Sequence, residues 1–186
     1  MREQGRVSVS TDDSFWGGLF AGHPNPGVPK VYGWLGTLST TAGEVEIFET
    51  TSPIPSWSFL HAYVVLLDGS PVMFVTSKWD SDDVKWVHLV WAHEGVRGGD
   101  AGRGATFSVQ VGRWLFARGH LTDHSPDRTP AGDRWARQVG GNLPERDPHG
   151  TPGGTARTGE RAFDLICQVD WPATIADLST SGPEVS

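Results

Sequence analysis

The sequence is poor in cysteine. Cys167 is the only one among 186 residues, so no intramolecular disulfide can form and no disulfide framework points to an extracellular fold. No stretch approaches the roughly 18 consecutive apolar residues that a membrane helix requires. The first ten residues, Met1 to Ser10, are polar and carry no apolar segment. A secretory signal is therefore not expected, and a cytoplasmic, soluble protein is. Positive charge is also scarce: 15 Lys and Arg against 22 Asp and Glu leave a net charge of -7. That balance argues against a nucleic-acid or membrane-surface partner and for a neutral or cationic one. No internal repeat is present.

What remains has ordinary globular composition. Hydrophobic residues make up 37% and charged residues 20%, which excludes the signature of a disordered chain. The length suits one domain with a sizeable core, expected over residues 1–178, with 179–186 as a disordered tail. Nothing in the sequence sets an oligomeric state.

Along the chain, Phe15, Trp16, Leu19 and Phe20 suit a short helical turn or a buried loop, and the prolines between His23 and Pro29 exclude regular structure there. Val31 to Ser39 reads as a strand, Thr41 to Gly43 as a turn, and Val45 and Ile47, alternating with Glu44 and Glu46, as a second strand. Phe59 to Leu67 and Val72 to Thr76 flank Asp68-Gly69, the dipeptide that a tight hairpin turn prefers. Trp86 to Trp91 is a further apolar strand, interrupted only by polar His88 after Lys85. Consecutive strands of this kind predict an antiparallel meander. Asp80, Asp82 and Asp83 between them read as a solvated turn.

The pattern then changes. Gly95-Val96-Arg97-Gly98-Gly99-Asp100-Ala101-Gly102-Arg103-Gly104 is rich in glycine. In the segment after it, Phe107, Val111, Trp114, Leu115 and Arg118 fall at helical spacing, with Gly119 as a C′ residue. Phe107, Val109 and Val111 also alternate as a strand would, and Gly112 disfavours a helix. Helix is preferred because Arg113 to Arg118 shows no alternation. His120 to His124 suits a short strand. Thr129-Pro130 predicts a helix start, with Ala131, Trp135 and Val139 as an apolar stripe and Gly140-Gly141 as its stop. Residues 142–160 read as a loop. Phe163, Leu165, Cys167, Val169 and Trp171 alternate and predict a final strand, with Cys167 buried in it and Trp135 in the core.

A glycine-rich loop that opens a helix gathers unpaired backbone N–H groups at the positive end of the helix dipole, a natural place for phosphate. In this region the sequence resembles the GNAT superfamily of acyl-CoA-dependent N-acyltransferases, whose hallmark is an apolar strand, Gln/Arg-x-x-Gly-x-Gly/Ala, then a helix. Gly102 and Gly104 match the two glycines, and the resemblance covers residues 60–141. Gly99 stands at the Gln/Arg position, with Arg97 two residues earlier, and Asp100 adds a negative charge. Residues 1–59 lack the two helices that usually shape the acceptor site.

The resemblance implies an α+β fold, a mixed central sheet flanked by helices, and transfer of an acetyl or other acyl group from coenzyme A to an amine on a small molecule or a peptide. It implies that Leu89, Val90 and Trp91 offer backbone groups to the pantetheine arm, and that Arg97, Gly102, Arg103, Gly104 and Ala105 hold the pyrophosphate. Glu94 and His93 are the candidate bases, and His124 or Ser125 would face the thioester. Tyr32 and Tyr63 are far upstream of the position where the family places its acid.

No metal is expected. Zinc needs three or four convergent ligands, and only His120 and His124, with Asp123, are close in sequence. Adjacent Asp123, His124 and Ser125 do not suit a hydrolase relay either. The alternative is a mainly-β sandwich or barrel, a non-enzymatic module that binds carbohydrate or protein; another is a structural or assembly protein. The conformation of Phe107 to Val111 separates the first two.

Overall fold

The computed structural model describes residues 27–54, 60–81, 83–97, 106–152 and 156–180. Among them the fold is α+β. Strands β1 (Val31–Thr40), β2 (Gly43–Thr51), β3 (Leu60–Leu67), β4 (Ser70–Trp79) and β5 (Lys85–Ala92) form one antiparallel meander. The short β6 (Asp123–His124) adds in parallel beside β5, so the sheet order is β1-β2-β3-β4-β5-β6. The helices are α1 (Glu94–Arg97), α2 (Phe107–Ala117), α3 (Pro130–Val139), α4 (Ala156–Cys167) and α5 (Trp171–Thr180).

The hairpin dipeptide acts as its chemistry demands: Asp68 and Gly69 both take positive φ, 50° and 76°, which matches the twist of the flanking strands. β3 is apolar almost throughout because both of its faces are covered, and His61 to Leu66 are all buried. On one face Ile47, Tyr63, Val65 and Val75 pack with Phe107, Val111, Trp114 and Leu115 of α2. On the other, Phe48, Val64 and Phe74 pack with Ala162, Phe163 and Ile166 of α4 and Trp171 of α5. The hairpin β1–β2 continues the same sheet, so residues 31–51 are part of the core rather than an appendage.

Phe107 to Val111 is helical, as expected, which removes the alternative of a mainly-β sandwich or barrel. The glycine that argued against this helix permits it: a Cβ on Gly112 would lie 2.5 Å from Trp135 Cζ2 and 2.6 Å from Val139 Cγ1, so its absence lets α2 and α3 approach closely. The final strand over 163–171 is instead α4 running into α5. Gly159, Ala162, Phe163 and Ile166 are the buried positions, a helical spacing. Leu165 is half-buried and Cys167 exposed, so the alternation was coincidental. Trp135 is half-buried and borders a cleft, whereas Ala136 and Val139 form the buried side of α3. Thr129 does cap α3, its hydroxyl accepting from the Gly132 N–H at 3.0 Å. The aromatic cluster Phe15 to Phe20 and the tail 181–186 lie outside the described residues.

Candidate functional site

β5 and β6 are parallel because α2 carries the chain back over the sheet between them. They pair over two residues each, Trp86↔Asp123 and Val87↔His124. The junction is pinned from both sides: Thr122 N–H donates to Lys85 O at 3.0 Å, and His124 N–H to Asn142 O at 2.9 Å. After His124 the chain turns away through Ser125 and Pro126. The outer edge of β5 from His88 to Ala92 therefore has no strand partner among the described residues.

That divergence opens a cleft of about 460 Å³. Its floor is Val87 to Ala92, and its far wall is Thr129, Ala131, Gly132 and Trp135 of α3, with Ser108 of α2, Arg97 and Pro152 at its margins. Trp135 is fixed there by its indole N–H, which donates to Ser108 O at 3.1 Å. The turn that carries α3 is held by Arg128, which is buried and fully engaged. Nη1 donates to Ser125 O at 2.6 Å and Nη2 to Pro144 O at 2.9 Å, while Nη2 also pairs with Asp133 Oδ1 at 2.7 Å. Arg128 and Arg137 together hold the Asp133 carboxyl below its ordinary range. Arg128 is thus a structural clamp, since a buried guanidinium requires this full set of acceptors.

A second cavity of about 320 Å³, lined by Lys78, Asp80, Trp86, Pro126 and Thr151, shares Val87, His88, Ser125 and Asp127 with the first. The shared residues sit where the strands part, so the two cavities meet at the gap in the sheet.

His88 belongs to this junction because of a β-bulge. Thr76 pairs with Leu89 and Ser77 with Val87, leaving His88 as an extra residue. One consequence is that Val87 and Val90 enter the same core layer, which strict alternation forbids, so Trp86 and Trp91, which alternation would put on opposite faces, share one. His88 Nδ1 is 3.1 Å from Thr76 Oγ1. Burial, and then the charge of Lys78, lower its pKa below the ordinary histidine value, so the ring is neutral near pH 7. The sequence signal for it was a lone histidine in an otherwise apolar strand.

The residues expected at a site separate into three groups. Leu89, Val90, Trp91, Arg97, His124 and Ser125 line the cleft. Arg97 stacks its guanidinium 5.1 Å from the Trp91 ring, and its Nε donates to Ala92 O. His124 is buried, its Nε2 2.7 Å from Gly140 O and its ring between Phe116 and Trp135; desolvation lowers its pKa first of all, and its role there is packing. Ser125 Oγ accepts from the Asp127 N–H at 3.1 Å and keeps its own hydrogen to donate. His93 and Glu94 are exposed and do not line the cleft. Gly102, Arg103, Gly104 and Ala105 lie outside the described residues.

Away from the cleft, Glu49 Oε1 lies 2.8 Å from His61 Nδ1, and the His61 ring stacks on Trp79 with centroids 3.9 Å apart. Tyr63 beside them donates to His120 O at 2.8 Å. Burial, reinforced by the Glu49 charge, pushes the Tyr63 phenol up, so it remains a donor. His120 and His124 are turned to different partners, and among the described residues no group of three or more His, Cys, Asp or Glu is placed to hold a metal ion. No helix among the described residues is long and apolar enough to cross a membrane.

Comparison with known proteins leaves the site to be read from its own chemistry: no protein-family model, no curated protein and no solved structure matches this chain.

Proposed function

We propose that the cleft holds the acyl-bearing arm of a coenzyme A thioester and that the protein transfers the acyl group, acetyl or another, to an amine. The observation that carries this reading is the divergence of β5 from β6. It presents the backbone edge of His88 to Ala92 to an apolar-walled cleft about 460 Å³ in volume. An edge of this kind has N–H and C=O groups to satisfy, and a pantetheine arm, with its two amides, can pair with it as a strand would.

Two further features support the coenzyme. In the sequence, the glycine-rich run that ends at Gly104 leads directly into α2, whose N-cap Thr106 makes no side-chain capping bond. Among the described residues no N-cap side chain satisfies the first N–H groups of that helix, and such groups suit an anion. Arg97, at the margin of the cleft, supplies a fixed positive charge next to the indole of Trp91.

The chemistry then follows from the junction. The amine nitrogen attacks the thioester carbonyl; the N–C bond forms, the C–S bond breaks, and the coenzyme leaves as its thiolate. With His88 Nδ1–H donating to Thr76 Oγ1, Nε2 keeps its lone pair and takes the proton that the nitrogen loses. In this reading Ser125 Oγ–H, whose oxygen already accepts from the Asp127 N–H, donates to the departing sulfur, which then gains a proton from solvent. His93 and Glu94 have no part in this arrangement, because neither borders the cleft.

Titration calorimetry of the folded protein with acetyl-coenzyme A tests the reading. Saturable one-site binding in the micromolar range is expected. No binding up to millimolar coenzyme would overturn it and favour a non-enzymatic binding role for the two cavities.

A further inference from the structure

The smaller cavity has a charge pattern that the coenzyme reading does not use. Lys78 and Asp127 are both half-buried, and both line it. Lys78 forms no ion pair, and the Asp127 carboxylate neither an ion pair nor a hydrogen bond, among the described residues. Side chains of opposite charge, partly withdrawn from water and not paired with each other, leave two unmet electrostatic demands in one chamber. Asp127 stands at the junction with the cleft, and the Lys78 charge is near enough to depress His88. Trp86 lines the same chamber as its aromatic wall. Asp80, which also lines the chamber, is exposed.

We propose that this chamber binds a free amino acid as its zwitterion, with the carboxylate on Lys78, the ammonium on Asp127 beside His88, and the side chain along Trp86. The proposal deepens the acyl-transfer reading and rests on it for the role of the bound amine, but binding of the amino acid does not depend on the coenzyme. A simple amine would satisfy Asp127 and leave Lys78 unmet. An N-terminal residue of a peptide, or a lysine side chain in a protein, would lack the α-carboxylate. The small volume, about 320 Å³, also suits a single amino acid better than a protein surface.

The test is a binding panel on the full chain, using the common L-amino acids, the decarboxylated amine of each, and the amide of each. At least one amino acid should bind about tenfold or more tightly than its amine and its amide, the scale of one charge-assisted bond. In Lys78→Met that preference should vanish while the amine binds as before. In Asp127→Asn both should weaken. Equal binding of amino acid and amine, or no binding by any amino acid, overturns the proposal. If Asp127→Asn does not fold, the Lys78→Met preference alone decides. Acetyl-coenzyme A binding with no amino acid binding sinks this proposal and leaves the coenzyme reading standing; the reverse outcome does the opposite.

Discussion

Gly112→Ala is the substitution whose outcome separates local propensity from packing. At an exposed helix interior, alanine in place of glycine gains about 1 kcal/mol. Gly112 is buried, and a new Cβ there would meet Trp135 Cζ2 at 2.5 Å and Val139 Cγ1 at 2.6 Å. Ordinary carbon contacts are about 3.5–4.0 Å, so each neighbour must retreat by roughly an ångström. Trp135 cannot do so freely, because its indole N–H is bonded to Ser108 O at 3.1 Å and its ring meets His124 edge-on. Overpacking of this kind costs about 1–3 kcal/mol, and loss of the indole hydrogen bond about 1 kcal/mol more. Set against the propensity gain of about 1 kcal/mol, the net expectation is a loss of roughly 1–3 kcal/mol. Urea unfolding followed by tryptophan fluorescence measures it. With a slope of about 2 kcal/mol per molar, the midpoint should fall by roughly 0.5–1.5 M. Because Trp135 also walls the cleft, acetyl-coenzyme A binding should weaken in parallel. A rise in the urea midpoint would refute the close α2–α3 contact and everything argued from it.

Three other outcomes are expected. His88→Gln should lower turnover by about 10²–10⁴-fold while leaving acetyl-coenzyme A affinity within about twofold, as removal of a general base does; in the wild type, the acidic limb of kcat/KM should fall below the ordinary histidine pKa, because the folded ring is held neutral, and retained activity in the variant would remove His88 from the chemistry. Hydrogen bonding from His61 lowers the Glu49 pKa below its ordinary 4.5, so this carboxylate contributes stability above pH 4.5 that is lost as pH falls through its depressed folded value; Glu49→Gln should flatten that part of the stability–pH curve, and an unchanged curve would show that the pair is not maintained in solution. Thr129→Ala should cost about 1 kcal/mol in thermal or urea unfolding through loss of the cap on Gly132, whereas Thr129→Ser should be nearly neutral; equal loss in both would point to the methyl group instead.

Much of the site's frame could be read from residue order, because it depends on local chemistry. Asp68-Gly69 announces its hairpin through the positive φ both positions must accept, and Thr129-Pro130 announces a helix start through capping and a preset φ. Leu89, Val90, Trp91, Arg97, His124 and Ser125 could be placed near one another from the succession of apolar strand, glycine-rich run, helix and short strand. His88 could not. Its importance arises from a bulge, and one extra residue in β5 relative to β4 is a property of a pair of strands, invisible in either alone.

The amino-acid sequence by itself determined the local steps: where strands turn, where α3 begins, and which segments are apolar enough to be covered on both faces. Tertiary structure alone decided the ambiguous periods and the meeting places. Phe163 satisfies a two-residue and a 3.6-residue repeat equally, and only the sheet face waiting at Phe74 and Trp91 selects the helix that buries Ala162 and Ile166 with it. Gly112 opposes a helix in isolation, yet the gain from packing Trp135 and Val139 against its bare backbone exceeds that intrinsic cost. The two cavities exist because β5 and β6 part after two paired residues, and that divergence depends on Arg128 and the turn it clamps, some forty residues along the chain from the strand whose edge it exposes.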